Sequence, residues 1–103
     1  METTSLTPKI TIGILCYNAQ HTISRAVECA FAQDYDNFEV IVVDDCSEDA
    51  SVEQLKKYQR ITNFRLIQHA VNTGSGGARN TLVKAATGSI IVFFDDDDLS
   101  RKD

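Results

Sequence analysis

Residues 10–43, ITIGILCYNAQHTISRAVECAFAQDYDNFEVIVV, hold two short apolar runs on either side of a stretch with helical spacing. The first run, Ile10 to Cys16, and the second, Glu39 to Val43, are strand-length and rich in β-branched residues. Between them Ile23, Ala26, Val27, Ala30 and Phe31 fall on one helical face. Strand, helix and strand in that order predict a βα unit and a parallel sheet.

The alternation continues to the end of the chain. After the second strand, DDCSEDAS offers Ser47 or Asp49 as the cap of a second helix, with Val52, Leu55 and Tyr58 facing inward. A third strand, Phe64 to His69, leads through AVNTGSGG into a third helix with Ala78, Leu82, Ala85 and Ala86 on its inner side. Gly88 is expected to stop that helix as a C-cap. The last run, Ser89 to Phe94, is almost wholly apolar, as in a central strand buried on both faces. The expected fold is therefore α/β: a Rossmann-like three-layer sandwich in which a mostly parallel sheet of four strands alternates with three helices. Residues 1–8 read as a loose lead-in and residues 9–103 as the domain.

Bulk properties exclude several function classes. The 103 residues carry a formal charge of -5, which disfavours charge-driven binding to nucleic acid or anionic membrane. No apolar run reaches the ~18 residues of a membrane span, and METTSLTPK lacks the features of a signal peptide, so a cytoplasmic location is expected. The cysteines Cys16, Cys29 and Cys46 match no zinc or redox spacing. Cys46 follows two aspartates, whose charge disfavours a thiolate.

In an open α/β sheet, ligands bind outside the carboxyl ends of the strands. That rule gathers CYNAQ, DDCS, VNTGSGG and DDDD along one edge. An acidic run is ordinarily a solvated turn. Four carboxylates, Asp95 to Asp98, crowded at the mouth of a strand repel one another, and a divalent cation with oxygen ligands, Mg2+ or Mn2+, relieves that crowding. Alternation along an extended segment allows only some of the four to face one ion. Of Asp44 and Asp45, one suits a turn or helix cap, leaving the other to accept a hydrogen bond from a ligand N–H.

GSGGARN, residues 74–80, fails as a dinucleotide fingerprint because Arg79 stands where the last small residue belongs. It also lacks the Gly-Lys-Ser/Thr ending of a phosphate-binding P-loop. Arg79 itself offers a planar five-donor group beside the ligand edge. Tyr17 could stack on a flat ring or pack under the first helix. His21 and His69 show no pairing that implies a base or a ligand, and a structural or solvent-exposed place is expected for each.

Taken in order, ITIGILCYNAQHTISRAVECAFAQDYDNFEVIVVDDCSED and NTGSGGARNTLVKAATGSIIVFFDDDD resemble the N-terminal nucleotide-binding half of the family 2 glycosyltransferases, which have the GT-A fold. The resemblance covers nearly the whole chain, from about Lys9 to Asp103. It implies transfer of a sugar from a nucleotide diphosphate sugar, a UDP-sugar foremost, to an acceptor hydroxyl on a glycan, lipid or protein, usually with inversion. Carried over by position, Tyr17 resembles the residue at the base-stacking site, and Asp45 the acid that reads the base edge, with Asp44 beside it. Arg79 resembles the arginine near the nucleotide. Asp97 and Asp98 align with the ribose and metal aspartates, and Asp95 opens a D-x-D; spacing does not choose which carboxylate binds Mn2+ or Mg2+ directly.

Two departures carry consequences. Cys46 stands where the family commonly has glycine. The family's acceptor half and catalytic base lie downstream of the metal motif, so the resemblance assigns no base here and implies a truncated, catalytically incomplete donor portion. Such a portion is expected to expose a sheet edge that favours a homo-oligomer, and the full-length enzyme could lie peripheral to the membrane. The alternative is a non-enzymatic binding or assembly module that keeps the fold.

Overall fold

The computed structural model describes residues 8–95. Four strands, β1 (Ile10–Cys16), β2 (Phe38–Asp44), β3 (Phe64–Gln68) and β4 (Ile90–Asp95), alternate with helices α1 (Ile23–Phe31), α2 (Ser51–Lys56) and α3 (Gly74–Ala85). All three strand pairings are parallel, in the order β3-β2-β1-β4. The strand order thus reverses between β1 and β4.

Alternation along the inner strands builds a core on each face of the sheet. Ile12, Ile14, Val40 and Val42 pack with Ile23, Val27 and Ala30 of α1 and Leu55 of α2. Ile41 and Val43 point to the other face, where they meet Ala78 and Leu82 of α3. The expected three-layer sandwich is therefore formed by α1 and α2 on one side and α3 on the other. Gly13 makes the third layer possible, since a Cβ there would lie 2.6 Å from both methyl carbons of Leu82. An α-carbon without a side chain lets the helix settle onto β1.

Three sequence expectations change. The fully buried central strand is β2, whereas β4 is an edge of the described sheet, with Ile90 46 % and Val92 38 % exposed. A continuous apolar run reports that both faces of a strand are apolar, not which neighbours it has. α3 ends at Ala85 with the extended residue Ala86 after it, so Gly88 is not its cap. Gly88 is demanded by close approach: a Cβ would come within 2.8 Å of Lys9 O and the Thr11 backbone nitrogen. α2 begins at Ser51, later than a cap at Ser47 or Asp49 predicts. The Asp49 carboxylate instead takes the Ser51 N–H at 2.9 Å and reaches across to the Gln20 N–H at 3.2 Å.

At the amino end of the sheet, Glu39 is buried beneath α3. One carboxylate oxygen accepts the Thr11 hydroxyl at 2.7 Å and the Thr87 N–H at 2.8 Å, while the other faces Arg65 at 3.5 Å and Lys9 at 3.8 Å. Burial alone would raise its pKa; the hydrogen bonds from Thr11 and Thr87 and the charge of Lys9 outweigh it and hold the carboxyl below its usual range. Arg65 also donates to Ala85 O, tying the last turn of α3 to β3. The opposite, carboxyl edge is left to the loops.

Candidate functional site

Two of those loops are zipped together. Asn18 adopts a left-handed φ of 49°, which asparagine tolerates, and its side-chain oxygen accepts the Glu48 N–H at 2.8 Å. The Asn18 N–H in turn donates to the Ser47 hydroxyl at 2.9 Å. Ser47 is held by Asp44, whose two oxygens accept its N–H at 2.9 Å and its hydroxyl at 2.6 Å. Asp44 is buried and makes the turn that one member of the acidic pair was expected to make. Tyr17, at the exit of β1, stays 46 % exposed above these loops.

Asp45 does something the sequence does not suggest. Its carboxylate caps α3 from outside that helix, accepting the Thr73 N–H at 2.9 Å, the Gly74 N–H at 2.8 Å and the Thr73 hydroxyl at 2.8 Å. Thr73 is the N-cap residue but makes no side-chain cap bond of its own. The glycines explain themselves here: Gly74 has a φ of +80°, and a Cβ on Gly77 would fall 2.4 Å from the Thr73 hydroxyl oxygen. An expected acceptor for a ligand N–H is thus a carboxylate with donors on both oxygens.

His69 completes that arrangement. Its Nδ1 lies 2.8 Å from Asp45 Oδ1 and its Nε2 2.8 Å from the Thr81 hydroxyl of α3. An ionised carboxylate only accepts, so Nδ1 carries the proton. Burial would raise the Asp45 pKa, but the His69 hydrogen bond and those from Thr73 and Gly74 prevail and hold it at about 2. Sequence reasoning found no pairing for His69. The signal lay in register: Asp44 stands opposite Gln68 in the parallel ladder, so the next rung brings Asp45 to His69.

These elements enclose an open cleft of about 460 Å³ at the point where the strand order reverses. Leu15, Cys16 and Tyr17 supply the β1 side, Asp45 the β2 side, and Asn72, Gly74, Ser75, Ala78 and Arg79 the start of α3. The expected Tyr17, Asp45 and Arg79 are brought together; Asp44 stands behind them without lining the cleft. The Arg79 guanidinium carbon lies over the Phe93 ring of β4, 4.3 Å from its centroid. β4 carries the chain to Asp95 beside Leu15, a cleft residue. Asp97 and Asp98 lie outside the described residues, as does the side chain of Asp95. Among the described residues no three His, Cys, Asp or Glu side chains cluster as a metal site.

A four-stranded parallel sheet with helices on both faces and a cleft at the reversal of strand order is a doubly wound α/β module, and the solved structures it superposes on are GT-A glycosyltransferases. The chain belongs to glycosyl transferase family 2, whose family model matches residues 11–103. It is 43 % identical over 96 residues to the succinoglycan biosynthesis protein ExoO of Rhizobium meliloti, covering 93 % of this chain and 27 % of that protein. It is 36 % identical over 90 residues to the UDP-Glc:alpha-D-GlcNAc-diphosphoundecaprenol beta-1,3-glucosyltransferase WfgD of Escherichia coli, covering 87 % and 35 %. Among solved structures, S. aureus TarS in complex with UDP-GlcNAc superposes with a TM-score of 0.80 at 34 % identity, over 86 % of this chain and 26 % of that one. The mannosyltransferase PcManGT of Pyrobaculum calidifontis, in complex with GDP-Man and Mn2+, gives 0.81 at 28 % identity, over 87 % and 28 %. The chain therefore spans between a quarter and about a third of these proteins. Among the described residues, no helix is long and apolar enough to cross a membrane.

Proposed function

We propose that residues 9–103 are the donor-binding portion of an inverting glycosyltransferase, holding a nucleoside diphosphate sugar, UDP-linked in the first instance, for transfer to an acceptor hydroxyl. The observation that carries this reading is the convergence of Tyr17, the Asp45-capped start of α3 and Arg79 on one cleft at the strand-order reversal. Its size suits a nucleotide, within the ~300–1,000 Å³ usual for small-ligand sites. The named ligands of TarS and PcManGT, UDP-GlcNAc and GDP-Man, belong to the same chemical class.

Each residue then has a task. The exposed Tyr17 ring supplies a face for the base. Asp45 acts behind the ligand, fixing the backbone of Thr73 and Gly74 so that Asn72, Ser75 and Arg79 stand where the cleft needs them. Arg79 brings positive charge to the donor's phosphates or base edge. The chemistry of the aspartate run fits a hard divalent cation, and Asp95, Asp97 and Asp98 are the residues that would hold Mn2+ or Mg2+. When bound, the cation stabilises the charge that develops on the departing diphosphate. A base that activates the acceptor belongs on the opposite side of the sugar from the leaving group, and no residue of this chain is given that role.

Titrating UDP calorimetrically with and without Mn2+ tests the reading. Metal-dependent binding that is lost in Asp97→Ala and Asp98→Ala supports it. Absence of binding to any nucleoside diphosphate would leave the non-enzymatic module as the better account.

A further inference from the structure

We infer that Phe93 is a positioning residue for Arg79, its ring holding the guanidinium flat against β4 so that the N–H edge meets an anionic oxygen of the bound nucleotide. The inference rests on the donor-site reading and adds to it a β4 residue outside the described lining of the cleft.

Arg79 is exposed, between one and two turns into α3. A long side chain in that position ordinarily samples many rotamers and loses them when a ligand binds. Here the guanidinium carbon Cζ lies over an aromatic ring, 4.3 Å from its centroid. Stacking engages the π-face and leaves the in-plane N–H donors free to meet an oxygen anion.

The ring is well placed to serve as a platform. Phe93 packs against the buried cluster of Ile41, Val43, Ala78 and Leu82 on the α3 face of the sheet. Its backbone is opposite Gly13 in the β1–β4 ladder, the residue whose missing Cβ admits Leu82. Strand register and helix docking therefore both fix the ring, and the ring fixes the guanidinium. An aliphatic residue at 93 would fill the core but offer the cation no negative π-face.

A double-mutant cycle on the 103-residue chain, read as UDP affinity by calorimetry, separates this role from simple packing. Phe93→Leu is expected to weaken UDP by about threefold or more when Arg79 is present and to have almost no effect in the Arg79→Ala background. Phe93→Tyr should keep wild-type affinity. Phe93→Met, which retains bulk without an aromatic face, should behave as Phe93→Leu and serves in its place if the leucine variant does not fold. Equal weakening in both backgrounds, or none in either, overturns the inference while leaving the donor site standing. Failure of the unsubstituted chain to bind UDP overturns the donor-site reading and the inference with it.

Discussion

The imidazole of His69 and the carboxylate of Asp45 are joined at 2.8 Å across the ends of two adjacent parallel strands, and the same carboxylate holds the first N–H groups of α3. One buried anion therefore ties β2, β3 and α3 together at the mouth of the cleft.

Replacing Asp45 with asparagine keeps the shape but turns one acceptor into a donor facing other donors. The expected loss is roughly 2–3 kcal/mol of folding free energy, read from urea denaturation. A loss within experimental error would show that the capping bonds contribute nothing net.

The same carboxylate sets an acid limit. Its folded pKa of about 2 lies below the 3.8 of an unperturbed aspartate. A depressed carboxyl contributes stability that is fully present above the unfolded pKa and is lost as pH falls through the folded one. Stability should thus decline between about pH 4 and 2, by roughly 2 kcal/mol from this residue. Glu39 and Asp49 are also shifted downward, so the difference between wild type and Asp45→Asn across that window isolates the Asp45 share. Parallel pH profiles for the two proteins would remove Asp45 as the cause.

Cys46 occupies the left-handed region at φ 65°, beside Asp45 and at a position where the family commonly carries glycine. A side chain there costs roughly 1–2 kcal/mol, partly offset by the greater chain entropy that glycine loses on folding. Its thiol contacts Ala70 O at 3.5 Å. Cys46→Gly should accordingly stabilise the chain by about 0.5–1 kcal/mol. A lower melting temperature would contradict this.

Two glycine substitutions should part company. Gly88→Ala drives a methyl to 2.8 Å from backbone atoms that cannot swing aside, with an expected cost of about 2 kcal/mol or more. Gly76→Ala meets nothing within 4 Å inside α3 and should stabilise by about 0.5–1 kcal/mol through helix propensity. Thermal melts of the pair decide the matter, and a reversed order would show that the approach of Gly88 to β1 is not as tight as described.

Much of the architecture was legible because periodicity is a local property. Ile10–Cys16 is the strand that its apolar run predicts, and Ile23–Phe31 is the helix that its spacing predicts. The boundaries that moved were governed by distant partners. α2 starts late because Asp49 binds across to Gln20, and Gly88 serves β1 instead of ending α3. Tyr17, Asp45 and Arg79 were assembled from the rule about strand ends and from family resemblance. The roles of Asp45 and His69 were hidden for a physical reason: Asp45 and Thr73 are 28 residues apart, and only the register of β2 against β3 brings them to the same place. The Arg79–Phe93 stack is likewise a product of tertiary docking, invisible to either local pattern.

The external cap on α3 has a consequence for the order in which this chain can fold. A helix capped by its own N-cap side chain can close its first turn as soon as the local segment forms. α3 receives its cap from the end of β2, so the amides of Thr73 and Gly74 gain their acceptor only once the sheet exists. In hydrogen–deuterium exchange these exposed-loop amides should then be protected as long as the β2–β3 pairing, not as briefly as a fraying helix end. The cleft cannot be assembled ahead of the domain, which makes a competent site a report on the completed fold.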